Sequence, residues 1–291
     1  VQISHSAIRL DAEHISGSVA RSSAFSDISL SIHPGEFVGI LGTQGVGKTS
    51  LLQTLSGMIP AQSGTVLLNS LNLYEQRERF SMLIGYVFQH ETIHLTLSVY
   101  DTLYYAALIR FPLAGSFWQQ AKKETIIQRV GQVLRLLKLE DMADVKIKRL
   151  SIGQRKQVML GVELLTSPPL LCIDEPFVGL SAAEQEQMMD VLHKLAREGR
   201  TVILTAQQRL ESLRELDLIA ILAKGQLVFY GPPQLAFNVF KVKDFPDLYE
   251  KIEKFAPEEL AKHYRASPVY KKYIAARLEK RYKTERVQAG S

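Results

Sequence analysis

Nine consecutive residues constrain this chain more than any others: Gly42-Thr43-Gln44-Gly45-Val46-Gly47-Lys48-Thr49-Ser50. An apolar run, Phe37-Val38-Gly39-Ile40-Leu41, stands directly before them, after a Pro34-Gly35 break, and reads as a strand. A helical pattern from Lys48 to about Ser56 follows, stopped by Gly57 and Pro60. Strand, glycine-rich turn and helix at the spacing G-x-x-x-x-G-K-[ST] make a cradle for phosphate. The glycines let the backbone fold so that N–H groups face inward as a nest. The helix N-terminus adds positive potential. Lys48 would reach the β- and γ-phosphates of a nucleotide, and the Thr49 hydroxyl would sit on Mg²⁺. The alternative, a glycine-rich turn that only caps a helix, is outweighed by the strand before and the helix after.

A second stretch supplies acids. Leu170-Leu171-Cys172-Ile173-Asp174-Glu175-Pro176 is an apolar strand ending in two carboxylates. In an open α/β fold that end of the strand is where ligands bind. Asp174 would hold Mg²⁺, directly or through water, and Glu175 could polarise an attacking water as general base. The surrounding order supports such a fold. Strands at Gly64–Leu68 and Ile84–Phe88 precede a helical region from about Ser98 to Gly161, with breaks near Phe111–Ser116 and Asp141–Leu150. A helix over Ala182–Glu198, a strand over Thr201–Thr205, a short helix and two strands ending at Tyr230 complete it. Alternating strands and helices predict an α/β class with a largely parallel sheet.

Between the two motifs lies Leu150-Ser151-Ile152-Gly153-Gln154-Arg155-Lys156-Gln157, which opens a helix with Ser151 as N-cap. It resembles the LSGGQ signature of ABC-type ATPases, with Ile152 where that family has glycine. The resemblance covers about residues 25–240. It is strongest to the G-type (White/pigment-like) transporters and their bacterial relatives, through Leu95-Thr96-Leu97-Ser98-Val99-Tyr100-Asp101-Thr102-Leu103 and Leu222-Ala223-Lys224-Gly225-Gln226-Leu227-Val228-Phe229-Tyr230-Gly231-Pro232. The resemblance implies a P-loop NTPase (RecA-like) core with an N-terminal antiparallel β subdomain and an inserted helical subdomain at about 90–165. It implies ATP and Mg²⁺ as cofactors and a second ABC domain, identical or not, as head-to-tail partner. Ser151, Gly153 and Gln154 would then close over the partner's γ-phosphate. Gln89, at the end of the Ile84–Phe88 strand, matches the Q-loop, whose glutamine touches Mg²⁺ and the attacking water. A transmembrane permease domain, in the same full-length chain, would be driven by closure of the dimer, with export the expected direction.

Three positions depart from the family. Its switch histidine falls at Gln207, which can donate a hydrogen bond but carry no proton. Gly179-Leu180-Ser181 lacks the aspartate that ends the D-loop. Gly17 falls near the adenine-stacking aromatic, with Phe25 a weak substitute. With the P-loop and Glu175 intact, a slow ATPase is expected; a binding-only subunit is the alternative. His90-Glu91-Thr92-Ile93-His94 matches the zinc-protease pattern H-E-x-x-H, but it reads as a loop before a helix near Ser98, with no third ligand evident.

Composition agrees with a globular, reducing-compartment protein: 46% hydrophobic, with Cys172 as its one cysteine. No apolar run approaches the ~20 residues of a membrane span, and the first residues do not read as a signal peptide. The domain is expected to be soluble, at the cytoplasmic face of a membrane. The net charge of +5 gathers from Lys251 onward, where eleven Lys/Arg face five Asp/Glu. Residues 1–243 are read as the ATP-binding domain and 244–291 as a basic helical connector near the membrane surface. A non-transport ABC ATPase acting on RNA or DNA is the remaining alternative. Nucleic acid is not expected, since the chain has one cassette and no long coiled coil between the P-loop and the signature.

Overall fold

The computed structural model describes residues 8–19, 22–111, 119–207 and 211–280. Two long strands, Leu10–Val19 (β1) and Ser22–Ile32 (β2), pair antiparallel. They bury alternate apolar residues, Leu10 and Ala12 on one, Ile28, Leu30 and Ile32 on the other, and the intervening Asp11, Ser29 and Ser31 are buried as well. Phe37–Leu41 (β3) is buried at every position, the mark of a central parallel strand. Lys48–Leu55 (α1) follows the glycine-rich loop. Ser63–Leu68 (β4) and Leu71–Asn72 (β5) return to the first sheet, giving the order β2-β1-β4-β5.

After Arg77–Ser81 (α2) and Ile84–Val87 (β6) come three helices: Val99–Arg110 (α3), Gln119–Leu137 (α4) and Ile152–Leu164 (α5). A Cβ built on Gly161 of α5 would meet Leu137, Val133 and Leu103 at 3.0–3.2 Å, so the three helices share one small-residue junction. The chain then alternates through Leu170–Ile173 (β7), Ala182–Arg197 (α6), Thr201–Ala206 (β8), Leu218–Ala223 (β9) and Gln226–Gly231 (β10). The second sheet has the order β10-β9-β3-β8-β7-β6, parallel except for the edge strand β10. The α/β class, antiparallel β sheet and intervening helices are those expected. The short β5 and α2 escaped the sequence reading because they carry less than two turns or one alternation of hydrophobic signal.

The strands β3, β6, β7 and β8 end on the same edge of the parallel sheet, with Leu41 opposite Ala206 and Ile173 opposite Leu204. Everything the chain places just past those ends is therefore brought together. Beyond β10, Pro233–Phe240 (α7), Phe245–Glu253 (α8), Pro257–Ala266 (α9) and Pro268–Tyr270 (α10) follow, the last running into a π-turn over Lys271–Ala275. Composition changes at Asp244, but packing does not break there. Phe245, Leu248, Tyr249, Ile252, Ala261, Tyr264 and Ile274 join the core, and the Tyr264 hydroxyl donates to the Tyr230 carbonyl at 2.8 Å. Arg277 forks onto both oxygens of Glu36 at 2.8 and 2.9 Å and onto the Ser31 carbonyl at 3.1 Å. Residues 281–291, the last part of the basic stretch, lie outside the described residues.

Candidate nucleotide site

Between β3 and α1 the loop runs through left-handed backbone at Gly45 and Gly47, φ 79° and 100°. At Gly47 a Cβ would lie 2.1 Å from the Ala24 carbonyl, so no other residue fits. Gly47 is also the N-cap of α1 and offers no side chain, which leaves the first-turn N–H groups for an anion. Lys48 is folded back into the loop: its ammonium donates to the carbonyls of Gly42 and Thr43 at 2.9 Å and stands 3.3 Å from the Glu175 carboxylate. Both side chains are nearly solvent-free, at 5% and 7% exposed.

The acids after β7 meet this loop. Asp174 accepts from the Thr49 hydroxyl at 3.0 Å and from the Thr205 hydroxyl at 2.6 Å. Thr205 closes the network by accepting the Glu175 N–H at 2.8 Å. Glu175 holds φ 48°, a left-handed conformation that costs a non-glycine residue ~1–3 kcal/mol and persists only where its surroundings impose it. Burial pushes the Glu175 carboxyl above the usual range, opposed by the charge and hydrogen bond of Lys48 and by the Gln207 backbone. Lys156, on α5, reaches under the same turn and donates to the carbonyls of Glu175 and Pro176 at 2.8 and 3.1 Å. Thr49 and Asp174 present hard oxygen donors side by side, the chemistry of a Mg²⁺ site completed by water and phosphate rather than by a protein cage. No cluster of three or more His, Cys, Asp or Glu suited to a metal occurs among the described residues.

A cleft of about 330 Å³ opens over this network. Six of the nine loop residues line it: Gln44, Gly45, Gly47, Lys48, Thr49 and Ser50. Glu175, Gln207 and Gln89 line it as well, together with Ala24 of β2. Five stretches separated by tens of residues thus converge on one concave surface. Gly42 and Val46 lie beneath the loop instead, where Cβ growth at Gly42 would strike the Leu222 carbonyl at 2.6 Å. Thr43 turns away, toward Leu222 and Tyr249.

Ser151, Gly153 and Gln154 are not part of this cleft. They form the N-terminus of α5, where Ser151 and Gln154 cap each other reciprocally at 2.9 and 3.1 Å. The Ser151 hydroxyl donates to Glu184 on α6 at 2.8 Å. A Cβ on Gly153 would fall 2.6 Å from that carboxylate, and Ile152 is 43% exposed beside Gly179. Ser181 is the N-cap of α6, and its backbone N–H donates to Glu184 at 2.9 Å. Hydrogen bonds from Ser181 first, then Ser151, hold the Glu184 carboxyl below its ordinary range.

One sequence expectation changes, and the loop reading of His90–His94 does not. Phe25 is 1% exposed, with its ring lying across Gly17, where an added Cβ would meet it at 2.6 Å. It is core, with no face for a base, and its neighbour Ala24 lines the cleft instead. The His90–His94 segment runs irregularly after β6, with the next helix starting only at Val99 behind the cap Ser98. Its Glu91 is spent on Arg155 at 2.7 Å. Thr205 and Lys156 were not among the residues singled out from sequence, since their roles exist only once β8 and α5 lie beside the β7 turn.

The ABC transporter family profile matches residues 25–178. The chain is 34% identical over 223 residues to the broad substrate specificity ATP-binding cassette transporter of Mus musculus, covering 74% of this chain and 32% of that one. It is 36% identical over 231 residues to ATP-binding cassette sub-family G member 5 of Homo sapiens, covering 76% and 34%. A Mycobacterium tuberculosis ABC transporter ATP-binding/permease protein is 33% identical over 226 residues, covering 77% and 25%. The chain thus spans a quarter to a third of the length of these relatives. In fold it resembles a solved Clostridium perfringens protein that is part of an ABC transporter complex, with a TM-score of 0.70 at 24% identity, covering 87% of this chain and 98% of that one. It also resembles an ATP-binding cassette solved as a dimer in a post-hydrolysis state with ADP and phosphate, with a TM-score of 0.65 at 22% identity, covering 77% and 98%. No helix among the described residues is long and apolar enough to cross a membrane. With a phosphate loop, an acidic strand end and a capped signature helix on this fold, the chain belongs to the ABC transporter family, as an ATP-binding domain.

Proposed function

We propose that this domain binds ATP with Mg²⁺ in its own cleft, pairs head-to-tail with a second ABC domain, and hydrolyses the nucleotide slowly to drive a transmembrane permease domain, in the direction of export. One observation carries the reading. Lys48, Thr49, Gln89 and Glu175 face one cleft, Asp174 is bonded to Thr49 beneath it, and Ser151 and Gly153 stand outside it on the end of α5. One chain therefore supplies half of a composite site, and a second chain's signature supplies the rest.

In this mechanism the loop N–H groups and Lys48 bind the β- and γ-phosphates, exchanging the carbonyl contacts of Lys48 for phosphate oxygens. Thr49, Asp174 and Gln89 would hold Mg²⁺, which neutralises charge on the phosphates. Glu175 accepts a proton from water as the water oxygen attacks the γ-phosphorus; the bond to the β-phosphate oxygen breaks, leaving ADP and phosphate. Gln207 donates a hydrogen bond to the γ-phosphate without a positive charge, which makes the step slower. The sub-family G likeness supports a permease in the same longer polypeptide and a place at the cytoplasmic face of a membrane. The basic C-terminal stretch would then lie near the membrane surface.

A binding-only role is the second reading. It is favoured by Ile152 exposed at the signature and by the Ser151 hydroxyl already bonded to Glu184. Steady-state ATP turnover across protein concentrations, beside Glu175→Gln, separates the two. Turnover that rises faster than linearly and disappears in the variant is expected. Background turnover in both proteins, with ATP still bound, would establish the binding-only role.

A further inference from the structure

The turn that carries Glu175 is held from two sides, and only one side belongs to the usual phosphate-and-metal chemistry. On the β8 side, Thr205 accepts the Glu175 N–H at 2.8 Å. On the other side, the Glu175 carbonyl accepts from Lys156 at 2.8 Å, and the next carbonyl, that of Pro176, accepts from the same ammonium at 3.1 Å. Lys156 is 9% exposed, and its pKa is lowered, first by burial. A buried lysine is uncommon without an ion-pair partner within contact distance. Here the ammonium is spent on two consecutive backbone oxygens, and charge-assisted bonds of this kind are stronger than neutral ones.

Those two oxygens belong to the one peptide turn in the site that is held out of its preferred conformation. Glu175 adopts φ 48°, and nothing in its own side chain favours that value. With both its N–H and its C=O fixed, the residue cannot relax to negative φ, and its carboxylate stays 3.3 Å from Lys48 in the cleft wall. We propose that Lys156 is a positioning residue for hydrolysis, its ammonium clamping the Glu175 peptide in the left-handed turn that aims the carboxylate into the cleft. Because Lys156 follows the signature by two residues on α5, the clamp also joins the signature helix of one subunit to the general base of that same subunit. The inference rests on Glu175 as the base.

The test compares wild type, Lys156→Met, Lys156→Arg, Glu175→Gln and the Glu175→Gln/Lys156→Met double variant, each measured for ATP turnover, ATP affinity and thermal midpoint. Lys156→Met should lower kcat by about 10–100-fold, the scale of a mispositioned catalytic group, with KM and ATP affinity within about two-fold of wild type. Lys156→Arg, which keeps the charge and the donors, should recover part of the loss. In the double variant no further loss beyond Glu175→Gln is expected, because the lysine acts through the glutamate. Unchanged kcat in Lys156→Met, a loss shared equally by kcat and ATP affinity, or additive losses in the double variant would each overturn the clamp. Wild-type-like turnover in Glu175→Gln would overturn the base assignment, and the clamp with it. A wild-type domain without turnover counts against hydrolysis alone. The Glu175 backbone in a Lys156→Met crystal structure then decides: a shift to negative φ bears the clamp out, and retention of the left-handed turn overturns it.

Discussion

At the scale of single residues the site is a set of opposed demands on Glu175. Burial favours its neutral form, while Lys48 at 3.3 Å favours the charged one, and the balance leaves its pKa raised. The sign of the consequence differs for stability and for activity. A carboxyl that holds its proton more tightly when folded adds stability below the ordinary glutamate value, and loses that contribution as pH rises through its elevated value. The proposed role of general base needs the opposite state. The acidic limb of the kcat–pH profile is therefore expected above the usual carboxylate range, and to vanish in Glu175→Gln; a limb within the usual carboxylate range would assign it to another group. The residues of this balance were unequally legible in the sequence. Gly47, Lys48, Thr49, Asp174 and Glu175 declare themselves because phosphate chemistry demands fixed types at fixed spacing. Thr205 and Lys156 do not, because a threonine closing an apolar strand and a lysine on a helix have many ordinary uses. Phe25 misleads for a related reason: an aromatic near the right place gives no sign in the sequence that Gly17 opposite will bury its ring.

Among elements, the parallel strands and the helices α5 and α6 follow from local rules. Each helix starts at a serine with a Gln or Glu three residues on, Ser151 with Gln154 and Ser181 with Glu184, and both capping boxes form. What the local rules do not foretell is that the two boxes touch, Glu184 accepting from both serines. The C-terminal helices were the harder case. Read by charge, residues 244–291 are a basic helical connector. Read by spacing, Phe245, Leu248, Tyr249 and Ile252 mark one face of a helix, and that face is buried. Its last anchor is Arg277 on Glu36, a two-pronged pair with both side chains under a fifth exposed. Arg277→Ala removes three hydrogen bonds to partners that stay in place. It should cost about 2–3 kcal/mol, seen as a lower urea midpoint with an unchanged slope.

For the whole molecule, the proposed head-to-tail pairing makes association the event that would complete the site, because the cleft stands apart from Ser151 and Gly153. In a Glu175→Gln background, ATP should convert the domain to a dimer in sedimentation. Adding Ser151→Arg should leave it a monomer, with ATP affinity within about two-fold, since in the proposed arrangement the signature serves the other subunit's nucleotide; a persisting dimer would argue against that arrangement. The Arg277–Glu36 pair has a mechanical consequence as well. Glu36 is the residue immediately before β3, and the phosphate loop begins immediately after that strand, five residues or about 17 Å away. The strand is hydrogen-bonded on both sides, to β8 and β9, so it transmits tension with little stretch. A pull on the last described helix is thus delivered to one end of a stiff rod whose other end carries the phosphate loop, rather than being absorbed by a slack surface tail.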